Sequence, residues 1–228
     1  MDFNALLAPA SLHAIGLSVK IALISVPLFL GVGLLLAWAL TKRGACTAAL
    51  DIVVTLPLIF PPIVLGFALL YVVGRHSLVG DALSPFGVHL VFSFWGVLLA
   101  AFIAGLPLAV KTMQAALEAL PANLREASLT LRYGEWATFW GVLVPNIRGA
   151  VLTGVLLAFG RSIGEVGITL MLGGNVLGET ETVSLAIYNH VMAGEQAEAA
   201  VLSIGLGVVA TLIFLVLRLT SRPLEARK

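Results

Sequence analysis

Along the chain, long apolar runs alternate with short polar stretches. A helix that crosses a bilayer needs about 20 mainly apolar residues. Five stretches meet that length, at about 12–40, 50–73, 92–113, 139–172 and 199–219. Polar punctuation falls between them at 41–49, 74–89, 114–138 and 173–198. The fourth run is long enough to be tilted, or broken at Gly164, Gly167 or Gly173. None of the polar stretches is as long as a soluble domain. The pattern predicts an all-α integral membrane protein, one transmembrane domain over 1–228 with about five transmembrane helices.

Composition agrees. Of 228 residues, 60% are hydrophobic and 11% charged, where soluble domains carry about 25% charge. Most of the surface must therefore face lipid. A net charge of +1 offers no basic field for nucleic acid. The lone cysteine, Cys46, excludes an internal disulfide and reads as a small residue in a turn beside Lys42 and Arg43. Residues 1–19 hold no Lys or Arg, so the basic start of a cleavable signal is missing and the first run is expected to stay as a membrane helix. The histidines, His13, His76, His89 and His190, show no metal-ligand spacing, and no phosphate-binding G-x-x-x-x-G-K-S/T is present.

Basic residues set orientation. Nine of the thirteen fall on one side of a five-span arrangement: Lys42, Arg43, Lys111, Arg125, Arg132, Arg218, Arg222, Arg227 and Lys228. The other side carries Arg75 and the acids Asp2, Asp81, Glu179, Glu181, Glu195 and Glu198. The expected topology has a periplasmic N-terminus and a cytoplasmic C-terminus, with 114–138 in the cytoplasm.

Within that loop, Pro121 ends the preceding helix. Asn123 is a good N-cap and Glu126 stands at capping-box spacing from it. Leu124, Ala127, Ser128 and Leu131 follow at helical spacing, and Gly134 can supply a left-handed terminator. The result is a helix of two or three turns with an apolar stripe. Such a helix is marginal alone. The stripe can pack on the protein's own helices, lie at the lipid interface, or enter a groove on a soluble partner.

The run REASLTLRYGEWATFWGVLVP, Arg125–Pro145, resembles the EAA loop of ABC importer permeases: Glu126-Ala127-Ser128, then Arg132 where the pattern has glycine, then Val142, Val144 and Pro145. Three more strings, LPLIFPPIVLG at 56–66, FGRSIGEVG at 159–167 and LGETETVSLAIY at 177–188, are similar to the molybdate permeases of bacteria, and the similarity runs from about Leu12 to the end. The resemblance implies a type I ABC importer permease fold. It also implies a coupling helix that docks on a cytoplasmic ATPase subunit, a periplasmic molybdate-binding protein as donor, and a homodimer. ATP and Mg would bind the ATPase, with no cofactor on this chain. Tungstate or sulfate is the alternative cargo. A secondary transporter or channel is the alternative class, but it would want internal repeats or a ring of pore charges, and neither is visible.

Two constellations are candidates for the translocation path. Pro57, Pro61 and Pro62 remove backbone donors and free the carbonyls of Val53, Pro57 and Leu58. In lipid such a segment survives only where protein or water satisfies it, so it is expected to face the bundle interior, as a plain kink or as part of the path. Arg161 and Glu165, at i, i+4, can pair within the membrane. They read either as a structural salt bridge or, with Arg161 and a hydroxyl from Ser162, as groups that meet an oxyanion. Lys20 reads as a base that snorkels. Gly160, Gly164 and Gly167 suit close helix packing, within the subunit or at a dimer seam.

Overall fold

The computed structural model describes residues 9–220 except 43, 76, 84 and 86–88. Asp2, Arg43, Arg222, Arg227 and Lys228, on which the expected orientation partly rests, and His76 lie outside the described residues. Every regular element described is helical. In chain order these are α1 Pro9–Leu40, α2 Ala45–Ile59, α3 Pro62–Val73, α4 Leu78–Leu83, α5 Phe94–Glu118, α6 Ala122–Thr130 and α7 Glu135–Thr138. A π-helical turn, Phe139–Leu143, leads into α8 Val144–Asn146, α9 Arg148–Ile163, α10 Gly167–Gly173, α11 Val183–Ala193 and α12 Gln196–Thr220.

The centre of the bundle is α1, α5 and α9. Between lipid-soluble helices the hydrophobic effect gives little drive, so small residues that allow close approach do most of the work. Ala37, Ala109 and Ala158 are fully buried here beside Phe29, Met113 and Val155. A Cβ on Gly105 would stand 2.5 Å from both the Phe29 ring and the Ala158 carbonyl. A second cluster joins α3, α5 and α10 through Leu65, Ala100, Ala104, Ile168 and Leu172. On the far side of α1, Ala14, Ala186 and Leu202 bring in α11 and α12.

By length and composition α1, α5 and α12 can each cross a membrane. A fourth crossing is available if the segments Glu135–Asn146 and Arg148–Ile163, bent by 78°, form one span. The expected second span is divided into α2 and α3, with 15 and 12 residues, each too short to cross alone.

Three boundaries differ from the pattern reading. The run at 139–172 is broken twice, at Ile147 and at 164–166. Pro145 has no N–H to continue the ladder; a π turn with Val144 N–H donating to the Phe139 carbonyl precedes it, and the Asn146 side-chain amide donates to the Val142 carbonyl at 2.7 Å. The stretch at 173–198 is not simply polar punctuation. It contains α11, and Glu181, counted among the acids of the side opposite the basic residues, is only 4% exposed and accepts from the Asn189 side-chain amide at 2.6 Å. Finally, α5 continues through Glu118, so the first residues of the 114–138 loop are helical, Gln114 donating to Glu118 at 2.9 Å.

Outside the central trio, α3 and α10 also approach closely. A Cβ on Gly66 would lie 3.0 Å from the Ile168 Cα and from the Met171 Cβ. Gly66→Val should therefore wedge the two helices apart and cost about 1–3 kcal/mol. A lowered thermal midpoint in detergent, with less monodisperse protein on size exclusion, is the expected reading; wild-type behaviour would mean that this contact is not tight.

Candidate functional site

The helix α6 stands at one end of the bundle, tied to α5 by 119–121. It begins two residues earlier than the capping box requires. Pro121 occupies the N-cap position with φ −58° and ψ 132°, no side chain caps the helix, and Asn123 is the second helical residue. Proline sets the entry dihedral itself, so the Asn123–Glu126 box does not form. Both residues are exposed.

The predicted stripe divides. Ser128 is buried and its hydroxyl shares a 2.8 Å hydrogen bond with that of Thr138, while Leu124 is half-buried. These two face the chain's own body. Ala127 is exposed, and Leu131 is 72% exposed. Arg125 pairs with Glu135 across the turn. Behind them Trp38, Trp136 and Phe139 stack, with Trp38–Phe139 centroids 4.6 Å apart and the Lys42 ammonium 4.4 Å over the Trp38 ring. The helix is thus held on one side and left open on the other.

Its end is closed by a Schellman pair of bonds, Arg132 N–H to the Leu129 carbonyl at 2.9 Å and Tyr133 N–H to the Ser128 carbonyl at 3.2 Å. The left-handed residue is Arg132, with φ 62°. Gly134, expected to fill that role, is extended with φ −69° and ψ 165°. A residue with a Cβ costs about 1 kcal/mol or more in this conformation. Pro145, the last residue of the resembled pattern, is exposed in α8, just before the 78° bend.

The second part of the site lies where two broken helices meet. The chain passes from α2 to α3 at Phe60 and Pro61, and from α9 to α10 at 164–166. The two breaks touch: a Cβ on Gly167 would stand 2.9 Å from the Pro62 Cβ and 3.0 Å from the Ile63 nitrogen. The side of α3 that meets α10 carries Leu65 and Gly66, so the opposite side is left uncovered. Ile59 is 76% exposed, and Phe60, Pro61 and Pro62 are also exposed. Within one chain this segment faces outward, not into the bundle as expected. Pro57 is half-buried inside α2.

At the other break the expected pair is formed, Arg161 Nη1 donating to Glu165 Oε2 at 2.6 Å. The Glu165 side chain is 2% exposed, and its second oxygen accepts the Ile168 N–H at 2.8 Å. Glu165 thus caps the first turn of α10 with negative charge where the helix dipole favours it. Ser162 donates to the Phe159 carbonyl at 2.8 Å within its own helix, so its proton is already committed. Its neighbours Ser18, Glu165, Thr169 and Thr182 share a small cavity with it, about 20 Å³ in volume, room for a single water molecule. The last carbonyl of α9, that of Ile163, accepts from the Ser184 hydroxyl at 2.6 Å, and that of Gly173 at the end of α10 from Thr180 at 2.7 Å. Gly160 and Gly164 have nothing within 4 Å of a built Cβ. Lys20 is exposed on α1.

Several contributors had no signature in the sequence reading. Asp51 of α2 pairs with Lys111 of α5, sixty residues away. An acid inside one apolar run and a base inside another were the available signal. Thr180 and Ser184 look like loop hydroxyls until their carbonyl partners are known.

A helical bundle with three or four membrane-length segments and a short helix held outside it has the form of a multi-pass membrane protein. The chain belongs to the family of binding-protein-dependent transport system inner membrane components, whose model matches residues 29–225. It is 38% identical over 213 residues to the molybdenum transport system permease protein of Azotobacter vinelandii, covering 92% of this chain and 94% of that protein. It is 36% identical over 210 residues to the permease of the same name from Escherichia coli, covering 88% and 90%. A chain of the bacterial alginate ABC transporter, solved in complex with an alginate pentasaccharide-bound periplasmic protein, matches with a TM-score of 0.76 at 18% identity, over 97% of this chain and 83% of that one. That likeness establishes the fold, the type I ABC importer permease fold.

The Arg161–Glu165 pair yields a direct test. Arg161→Ala leaves a buried carboxylate without its cation and should cost about 3 kcal/mol. Adding Glu165→Gln removes the stranded charge, so the double variant should recover part of the loss. Thermal midpoints of the two single variants and the double variant in one detergent complete the cycle; additive losses would show that the two side chains are not coupled.

Proposed function

We propose that this chain is the permease subunit of an ATP-driven importer of molybdate in the bacterial inner membrane. Two copies form the pathway, a periplasmic molybdate-binding protein delivers the anion, and a separate cytoplasmic ATPase subunit drives the cycle. ATP and Mg bind that ATPase; this chain is non-catalytic and holds no cofactor of its own. The observation that carries the reading is the open face of α6. A short helix fixed on one side by Ser128 and Leu124, and bare on the other at Ala127 and Leu131, has the form of a helix that inserts into a partner's groove. The assignment of cargo leans on the molybdenum transport permeases that share over a third of its residues.

The five-span topology, with the N-terminus periplasmic and α6 cytoplasmic, belongs to the same proposal. The dimer accounts for the uncovered breaks. In lipid, the freed carbonyls near Pro57, Pro61 and Pro62 need a protein or water neighbour, and one chain leaves this segment exposed. The open Gly160 and Gly164 face of α9 suits a close approach of the second copy. Between the copies, Arg161 is the cation available to a passing oxyanion. Its side chain is 34% exposed while paired, and its planar fork can hold Glu165 and still donate elsewhere.

Uptake of labelled molybdate in cells with and without the chain, with tungstate and sulfate as competitors, tests the cargo; uptake that does not depend on the chain, or that sulfate alone suppresses, rejects molybdate. Glu126→Lys and Ala127→Asp each place a new charge on the open side of α6. Both should reduce uptake about tenfold or more, the cost of burying an unpaired charge at an interface, while the amount of protein in the membrane stays unchanged. Normal uptake in both variants would count against α6 as the docking element.

A further inference from the structure

Among the described residues, three helices end on a left-handed residue. α10 ends on Gly174 with φ 74°, α11 on Gly194 with φ 79°, and α6 on Arg132 with φ 62°. The last two use the same pair of bonds: Gly194 N–H to the Val191 carbonyl and Glu195 N–H to the His190 carbonyl close α11, as Arg132 and Tyr133 close α6. Glycine adopts this conformation freely and a side chain does not. The chain therefore has the unstrained solution twice and departs from it at α6. The neighbouring structure gives no return for the departure. Among the described residues Arg132 makes no side-chain hydrogen bond or ion pair and is exposed, while Arg125, one turn before Leu129, is held by Glu135. On either side stand Leu131 and Tyr133, 72% and 56% exposed.

We infer that Arg132 is a partner-recognition residue: its guanidinium pairs with a carboxylate on the ATPase subunit, inside a ring of apolar contact made by Leu131 and Tyr133. This rests on the reading of α6 as the surface that docks on that subunit. The Schellman turn fixes the Arg132 backbone directly after Leu131, at the end of α6 where Ala127, Leu131 and Arg132 are all exposed. A charge at that point loses water when the apolar neighbours are covered, which strengthens its attraction to an opposite charge. The two-pronged donor then sets register as well as attraction. Anionic lipid headgroups are the competing source of negative charge. They would be served by any long basic side chain near the surface and give no reason to hold one on a strained, fixed turn.

The test uses the full permease in detergent with its purified ATPase subunit, comparing wild type, Arg132→Gly, Arg132→Lys and Leu131→Asp. Arg132→Gly relieves the backbone, so its thermal midpoint should equal or exceed that of wild type. Its affinity for the ATPase subunit should nevertheless fall about three- to tenfold at low salt, the range of an exposed to partly desolvated ion pair, with a flatter dependence on salt. Arg132→Lys should recover part of the affinity and the salt dependence. If Arg132→Gly binds with wild-type affinity and salt slope, the inference fails while the docking reading stands. If wild type does not bind, or Leu131→Asp binds as well as wild type, the docking reading fails and takes the inference with it. Weakened binding of Arg132→Gly to anionic vesicles, with ATPase affinity unchanged, would assign the residue to the membrane and overturn the proposal.

Discussion

Inside a bilayer no water stands ready for a backbone group that has lost its helical partner, and this one constraint governs the middle of the molecule. The chain interrupts two apolar runs at depth and satisfies the interrupted ends at one of them from its own side chains. Where α9 stops, Ser184 donates to the Ile163 carbonyl. Where α10 starts, Glu165 accepts from Ile168 N–H. Where α10 stops, Thr180 donates to Gly173. The Arg161–Glu165 pair belongs to this scheme: the acid is needed as a cap for α10, and the base balances it.

The break between α2 and α3 is handled differently. Prolines at 61 and 62 carry no N–H, so the start of α3 has fewer donors left without partners. On the other side of the break the Leu56 carbonyl accepts the Phe60 N–H, and one chain leaves Ile59 and Phe60 uncovered. The two breaks lean on each other at Pro62 and Gly167. Below the first break α2 is clasped to α5 by Asp51 and Lys111, and beyond it α3 packs on α10. Both halves of the divided helix are thus anchored to α5, and the second half to α10 as well.

The outer helix obeys the opposite economy. α6 is too short to be stable by itself and is held by one hydroxyl pair, Ser128 with Thr138, and by the Arg125–Glu135 ion pair. Its covalent link to α5 is only 119–121. The strongest apolar exposure in this region, at Leu131, follows from that arrangement: the turn through Arg132 carries the chain back under the aromatic cluster of Trp38, Trp136 and Phe139, and leaves the tip outside.

Much of this was legible in residue order. Apolar run length determined a helical membrane protein, because the bilayer sets the length of any spanning helix. The short separation of Arg161 and Glu165 made their pairing legible, because residues four apart stay within reach even where α9 ends at Ile163 between them. Pro121 and the spacing of Leu124, Ala127, Ser128 and Leu131 determined a short helix between two bundle segments, because helical periodicity is local. What residue order left open was every question of which face meets what. Ser128 and Leu131 stand on the same helix, yet one is buried and the other bare. Glu181 falls in a polar stretch and is enclosed; Arg132 stands where the resembled pattern has glycine and takes a left-handed conformation. Asp51 and Lys111 find each other across sixty residues. Such outcomes depend on the docking of helices distant in sequence, which periodicity within one helix does not encode.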